Sequence, residues 1–395
     1  MIRLLDDLEA EGAAVGVRVD VNSPIEGDGL ADDARLRAHV GTISELCDRG
    51  ARVALLAHQG RPGGDEFTDL EAHAERLNEL LDPAVGYSDA TFSADARERI
   101  DSLEPGTAVL LENTRFYSEE YMSFDPEEAA ETFLVRRLSS ALDAYVNDAF
   151  ATSHRRQPSI VGFPQLLPAY AGRVMEREID VLGNIGESPE PRVYVLGGAK
   201  VDDSIEVARS VLERGLADSV LTAGIVGNAF LLADGASLGA ASAAVVNERS
   251  HQAVKDAGDL LDDFSHRIYM PRDVAVEHDD ERRELGLDEL PSDGPAMDIG
   301  VRTVAAYAEV LDDAGTAVLN GPAGVFEDER FETGTLELYK SAKRAETSIV
   351  GGGDTASALR KLGLLEGFDH VSTGGGAALQ MLTGDSLVGV EALER

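Results

Sequence analysis

Ile349-Val350-Gly351-Gly352-Gly353-Asp354-Thr355 runs from the end of an apolar strand through three glycines into the start of a helix, and His370-Val371-Ser372-Thr373-Gly374-Gly375-Gly376 repeats the plan. Val193-Tyr194-Val195-Leu196 before Gly197-Gly198-Ala199-Lys200, and Ala317-Val318-Leu319 before Asn320-Gly321-Pro322-Ala323-Gly324, have the same strand-then-glycine form. Outward from these turns, apolar β-rich runs alternate with helix-like segments and no period of about 20 to 50 residues recurs, which is the pattern of an α/β protein. Strands are predicted over 15–21, 53–57, 109–111 and 144–146, with helices over 34–49 and 70–81 between them. The second half adds strands over 193–196, 220–222, 268–270, 317–319, 349–350 and 370–372, so each half forms its own parallel sheet. Between the halves, Val174, Met175, Ile179, Leu182 and Ile185 recur at helical spacing and predict a connecting helix, closed by the two prolines of 187–191. The acidic segment 277–293 has few apolar residues and reads as a solvated excursion.

A chain of 395 residues with 43% hydrophobic content can bury enough apolar surface for two domains. No apolar run approaches the roughly 20 residues that span a bilayer. The amino terminus lacks the long apolar stretch of a signal peptide, so the expected location is the cytoplasm. Cys47 is the single cysteine, which excludes an intrachain disulfide and a thiolate metal cluster and leaves a small buried side chain as its expected role. The formal charge is −38, from 73 acidic and 35 basic residues, and it opposes nucleic acid and anionic membranes as partners. Only five of the basic residues are lysines (Lys200, Lys255, Lys340, Lys343 and Lys361), and the acidity runs along the whole sequence between normal apolar segments. Molar salt shortens the Debye length to about 3 Å and suppresses such self-repulsion, so the composition reads as adaptation to high salt.

Ligands of open parallel sheets sit beyond the carboxyl ends of the strands, and there the two halves differ. The first half collects cations: Arg18-Val19-Asp20-Val21-Asn22, His58-Gln59-Gly60-Arg61-Pro62, Asn113-Thr114-Arg115 and 147–155 with Arg155, together with Arg35 at a helix start. Guanidinium forks in such number suit a small ligand that bears both phosphate and carboxylate. The second half collects glycines, which let the backbone approach a polyphosphate at helix amino termini. The Walker pattern, the protein-kinase triplets and the G-x-G-x-x-G turn are all absent, so this is a different kind of nucleotide site. Lys200 follows one glycine turn, and Asp354 follows another, where it can cap the helix or hold the magnesium that accompanies a nucleotide. The residues themselves lead to a two-domain transferase, with an anionic small molecule on the first domain and a nucleotide on the second.

At this point the chain resembles the phosphoglycerate kinase family over nearly its whole length and in the family's order. Arg18-Val19-Asp20-Val21-Asn22 is similar to RVDFN, and Ala57-His58-Gln59-Gly60-Arg61-Pro62 to SHLGRP. Leu111-Glu112-Asn113-Thr114-Arg115-Phe116 is similar to LENLRF, and Tyr145-Val146-Asn147-Asp148-Ala149-Phe150 reads YVNDAF. The resemblance implies two doubly wound parallel-sheet, Rossmann-like domains joined by a helix hinge. Residues 1–170 would bind phosphoglycerate, 171–186 form the linking helix, 187–378 bind nucleotide, and 379–395 return to the first domain. It further implies that Asp20, Asn22, Arg35, His58, Arg61, Arg115 and Arg155 bind phosphoglycerate. The nucleotide would fall to Lys200, Gly224, Asn320, Glu327, Gly351, Gly352, Gly353, Asp354, Thr355 and the Gly374-Gly375-Gly376 turn. Lys200 would sit on the phosphates, Glu327 on the ribose and Asp354 on Mg²⁺. Arg35, Lys200, Gly352 and Gly375 would form the catalytic set.

The implied reaction is reversible phosphoryl transfer between 1,3-bisphosphoglycerate and ADP in glycolysis and gluconeogenesis, with small molecules as the only partners and a monomer as the working form. An acceptor carboxylate with a pKa of roughly 3.5 is already ionised at neutral pH, so no general base is needed. Catalysis can rest on positioning, on cations around the moving phosphoryl group, and on hinge closure that aligns the substrates. A dinucleotide dehydrogenase would share the sheets but lacks its fingerprint here, and a non-catalytic nucleotide binder would have no need of Lys200, Arg35 and Asp354 together. Two positions depart from the family pattern. Ser204 stands where GGAKVxDK has its second lysine, and Gly376-Ala377-Ala378-Leu379-Gln380 replaces GGGASLE.

Overall fold

The structure is a computed structural model that describes residues 2–27, 29–82 and 84–394, with Asp354 described by its backbone alone. The chain divides into two compact units, residues 1–180 with 386–395, and residues 181–385. No helix among the described residues is long and apolar enough to cross a membrane.

The first unit is built on six parallel strands: β1 (Ala14–Arg18), β2 (Arg52–Leu56), β3 (Val85–Tyr87), β4 (Ala108–Leu110), β5 (Ala144–Asn147) and β6 (Ala169–Ala171). Their order across the sheet is β3-β4-β2-β1-β5-β6. All five residues of β1 are buried, as a parallel sheet covered on both faces requires. The helix Ala34–Asp48 packs on the sheet through Leu36, His39, Ile43 and Leu46, which recur at three- and four-residue steps. Short strands β3 and β6 lie at the edges and were not legible in the sequence, since Val-Gly-Tyr and Ala-Tyr-Ala lack the run of large aliphatic side chains that Val109, Leu110 and Leu111 present.

The second unit has its own parallel sheet of β7 (Arg192–Leu196), β8 (Ser219–Thr222), β9 (Ile268–Tyr269), β10 (Thr316–Asn320), β11 (Thr347–Gly351) and β12 (His370–Val371). The order β9-β8-β7-β10-β11-β12 reverses direction between β7 and β10, the switch point at which such folds bind ligands. In the first unit the corresponding switch lies between β1 and β5.

Three expectations need correction. The acidic stretch 277–293 is not a plain excursion, because Asp273–His278 pairs antiparallel with Glu281–Gly286 and with Ala296–Ile299. Asp279 and Asp280 both have positive φ (52° and 63°), the two-residue hairpin turn that matches strand twist, and aspartate tolerates it. Val274, Val276 and Leu285 bury one face of this small sheet with Leu231 and Leu238. Second, β1 ends at Arg18 rather than at residue 21. Third, the tail joins the first unit from Ser386, not from residue 379. Residues up to 385 stay with the second unit, where Ser210 Oγ donates to the Thr383 carbonyl (2.9 Å) and Arg214 pairs with Asp385 (2.6 Å). Beyond them, Gly389 N–H donates to the Ser153 carbonyl at 2.8 Å and Ala392 packs against Ile160 and Val161. The helix expected over 171–186 runs from Arg173 to Gly183.

Candidate active site

In the first unit the loops after β1, β2, β4 and β5 bring the predicted cations together around one histidine. His58 follows β2, is 3% exposed and has its pKa pushed well below the usual histidine value, first by burial and then by Arg18, Arg115, Arg155 and Arg35. Burial also lowers the Arg115 guanidinium to about 10, with Arg155, Arg18 and Arg61 adding to the effect. Arg155 is lowered by burial and then by Arg61, Arg18 and Arg35, with Asp20 opposing. Arginine remains charged through shifts of this kind, so their meaning is spatial: in a chain of net charge −38, one sheet end carries a concentrated positive field.

The anionic and amide groups organise that field. Asp20 is 5% exposed and its Oδ2 takes the Nη1 of Arg35, whose side chain remains 40% exposed. The Asp20 backbone N–H donates to His39 Nε2 (3.0 Å), so the His39 proton sits on Nδ1 and points to Asp148 Oδ2 (2.7 Å). Asp148 Oδ1 in turn accepts the Val174 N–H (2.9 Å) at the start of the Arg173–Gly183 helix. Asn22 Oδ1 accepts the Gly60 N–H (2.8 Å), which leaves its amide NH₂ as a donor at the site. Asn113 fixes the same turn, accepting from Gln59 N–H (3.2 Å) and donating to the Gln59 carbonyl (2.8 Å). Arg115 donates to the Gly60 carbonyl at 2.6 Å, and Arg61 is exposed.

Arg18 behaves differently from its neighbours. The sequence counts it among the cations that collect round the ligand, but the structure buries it completely and commits its donors to protein acceptors. The reason is position: Arg18 is the last residue of a central strand, whereas Asp20 and Asn22 lie past its end.

In the second unit one pocket is lined by the turns after β7, β10, β11 and β12, including Gly198, Lys200, Asn320, Gly321, Gly352, Gly353 and Gly375. Gly321 shows why glycine is needed, since φ is +89° and a Cβ there would lie 2.2 Å from the Gly197 carbonyl oxygen. Gly352, with φ of +84°, would press a Cβ to 2.7 Å from the Asn320 side-chain oxygen. Thr355 also lines the pocket but is fully buried, and its hydroxyl accepts the Gly321 N–H (2.7 Å), tying the turns after β10 and β11 together. Gly351 closes β11, and Gly224, φ +55°, opens the helix Gly224–Ala233 against Gly198 and Pro322. Ser204 is 1% exposed and lines the pocket, with its hydroxyl 3.5 Å from the Gly197 carbonyl. The Asp354 side chain lies outside the described residues, and its backbone places it second in the helix Gly353–Lys361.

Glu327 is exposed and outside this pocket, but its loop is anchored to the same helix. Lys361 Nζ donates to the carbonyls of Phe326 (3.0 Å) and Glu327 (2.8 Å). Sequence reading missed Lys361, although the scarcity of lysine was a usable signal; it also missed the His39–Asp148 link, which spans 109 positions.

The phosphoglycerate kinase family model matches residues 5–385. A phosphoglycerate kinase of Natronomonas pharaonis is 82% identical over 394 residues, covering 100% of both chains, and one of Halobacterium salinarum is 59% identical over 396 residues, covering 99% of each. Among solved structures, phosphoglycerate kinase from Pyrococcus horikoshii OT3 superposes with a TM-score of 0.91 at 42% identity, covering 100% of this chain and 98% of that one. The Coxiella burnetii phosphoglycerate kinase gives a TM-score of 0.81 at 31% identity, covering 100% and 99%.

Proposed function

The chain belongs to the phosphoglycerate kinase family, and from that premise we propose how its own residues divide the work. The enzyme transfers a phosphoryl group between 1,3-bisphosphoglycerate and ADP, giving 3-phosphoglycerate and ATP. Arg61, Arg115 and Arg155 take the phosphate and carboxylate charges of the phosphoglycerate, while His58 and the Asn22 amide add neutral donors that fix its orientation. Arg35, held by Asp20, faces the moving phosphoryl group. Lys200 and the N–H groups of the Gly352 and Gly375 turns take the nucleotide phosphates, Glu327 takes the ribose, and Gly224, Asn320 and Gly351 shape the cleft. Because the acceptor is a carboxylate, transfer proceeds in line after hinge closure without a general base. The enzyme works as a cytoplasmic monomer on these small molecules.

Magnesium that accompanies the nucleotide would be held by Asp354, since one carboxylate with phosphate oxygens and waters is its usual set, and Gly352, Gly353 and Thr355 beside Asp354 line the phosphate pocket. When bound it would neutralise phosphate charge. Asp354→Asn should therefore weaken magnesium–ADP binding by about tenfold or more, the loss of one contact to a charged group, and leave 3-phosphoglycerate binding intact. Calorimetry with each substrate separates the two, and equal losses at both would point to a folding defect.

The observation that carries the reading is the convergence of Arg35, Arg115 and Arg155 on His58, with Arg61 beside Arg115 and Arg155, at one sheet end of a strongly acidic chain. A coupled assay of ATP formation from 1,3-bisphosphoglycerate in molar KCl tests it, and no turnover in folded protein would refute it. Position 204 offers a finer test. The hydroxyl there supplies no charge, so Ser204→Lys should tighten ATP binding at the lowest salt that keeps both proteins folded, and the gain should fade as salt rises. No gain at that salt would mean that position 204 does not serve the phosphates.

A further inference from the structure

Beneath the phosphoglycerate site runs a buried chain of polar groups whose hydrogen-bond directions are fixed by chemistry. Glu120 is fully buried and accepts twice from Ser159: from its N–H at Oε1 (2.7 Å) and from its hydroxyl at Oε2 (2.7 Å). The Ser159 hydroxyl, having given its proton to Glu120, accepts Arg18 Nε–H at 3.0 Å. Arg18 Nη1 donates to the Val19 carbonyl, and Nη2 lies 2.9 Å from His58 Nδ1. A guanidinium can only donate, so His58 Nδ1 must accept, and the ring's single proton resides on Nε2. Burial together with Arg18, Arg115, Arg155 and Arg35 keeps the ring from taking a second proton. Glu120 and Arg18 thus meet on the same Ser159 hydroxyl, a carboxyl group one hydroxyl away from the buried guanidinium. Ser159 is itself held, since its carbonyl accepts the Tyr145 hydroxyl at 2.7 Å.

We propose that Glu120, Ser159 and Arg18 are positioning residues for phosphoglycerate, a buried chain that holds His58 in the Nε2–H tautomer in which it donates to the substrate. The proposal rests on the reading of His58 as a substrate-binding residue. Arg18 thus acts one layer behind the ligand, on the ring, rather than on the ligand itself. A charge on the ring would add attraction but would also have to survive beside four guanidinium groups. A neutral donor of fixed orientation adds selectivity without that conflict.

The test is nitrogen NMR of the imidazole in ¹⁵N-histidine-labelled full-length protein at molar KCl, paired with calorimetry for 3-phosphoglycerate and ADP. Wild type should show His58 as the neutral Nε2–H form, and a ring protonated at Nδ1 would overturn the proposal at once. Ser159→Ala should mix the tautomers and weaken 3-phosphoglycerate binding by about tenfold, the loss of one hydrogen bond to a charged group, with ADP binding unchanged. Ser159→Thr, which keeps the hydroxyl, should restore both readouts. Glu120→Gln gives a second, isosteric break in the chain should the alanine variant not fold. His58→Ala binding 3-phosphoglycerate as wild type does would remove the assignment of His58 and the proposal with it. If instead His58→Ala weakens binding while Ser159→Ala and Glu120→Gln change neither tautomer nor affinity, His58 keeps its role and the chain is merely structural.

Discussion

Arg35→Lys should lower turnover by about a hundredfold or more, roughly 2.7 kcal/mol of transition-state stabilisation, while affinity for magnesium–ADP stays within about twofold. Arg35 stands in the first turn of the Ala34–Asp48 helix, and the Asp20 carboxylate takes its Nη1. Among the described residues no other partner engages its guanidinium, and the side chain is 40% exposed, so the remainder of the fork is open to a ligand. Asp20 is in turn fixed by the His39–Asp148 link, which makes the orientation of the fork a property of the scaffold. A planar guanidinium can hold Asp20 with one nitrogen and face a phosphoryl group with others. An ammonium is a single point charge that must choose, and the nearer carboxylate wins in the absence of substrate. Steady-state rates in both directions, with calorimetry for ADP, check the expectation. Turnover within a few-fold of wild type would remove Arg35 from the catalytic set.

Legibility in this chain follows the range of the interaction. The glycine turns after β7, β10, β11 and β12 could be read because backbone approach is demanded locally and no other residue meets it at Gly321 or Gly352. Arg61, Arg115 and Arg155 could be read because they follow the strand ends at Leu56, Leu110 and Asn147 by five, five and eight residues, in the loops after recognisable apolar runs. What escaped depends on distant partners. Arg18 and Ser159 are 141 positions apart, and Ser159 and Glu120 are 39 apart, so nothing next to Arg18 reveals that its donors are spent. The small antiparallel sheet was hidden for a different reason. Its strand Glu281–Gly286 is mostly charged, and only pairing with the apolar Val274 and Val276 of the neighbouring strand makes it a strand. The tail boundary failed at a single helix, since Gly376–Leu382 packs with the second unit before the chain leaves it.

The melting temperature should rise by roughly 10 °C or more between the lowest salt that supports folding and molar KCl, a gain of about 8 kcal/mol or more for a 395-residue chain at about 2.1 cal/mol/K of unfolding entropy per residue. Two electrostatic effects compete as salt increases. Screening weakens the ion pairs, which is destabilising, and it weakens repulsion among unpaired carboxylates, which is stabilising. Many of the pairs are shared: Arg173 alone serves Asp6, Glu45 and Glu176, and Arg330 serves Glu277 and Asp328. Pairs of this kind sit at or near the surface, where each contributes about 0–1 kcal/mol, so their loss is small. Against them stands an excess of 38 acidic side chains (73 less 35), spread along the whole chain, whose repulsion extends over about 30 Å at 0.01 M salt and about 3 Å at 1 M. The second effect is the larger, and stability climbs with salt. Screening also saturates once the Debye length falls below the spacing between charges, and KCl is not one of the strongly excluded salts, such as sulfate or phosphate, that go on stabilising with concentration. A melting curve series in KCl should therefore rise steeply at low concentration and flatten towards the molar range. A melting temperature that stays level or falls across the series would show that repulsion among the acidic side chains does not outweigh the ion pairs that salt weakens.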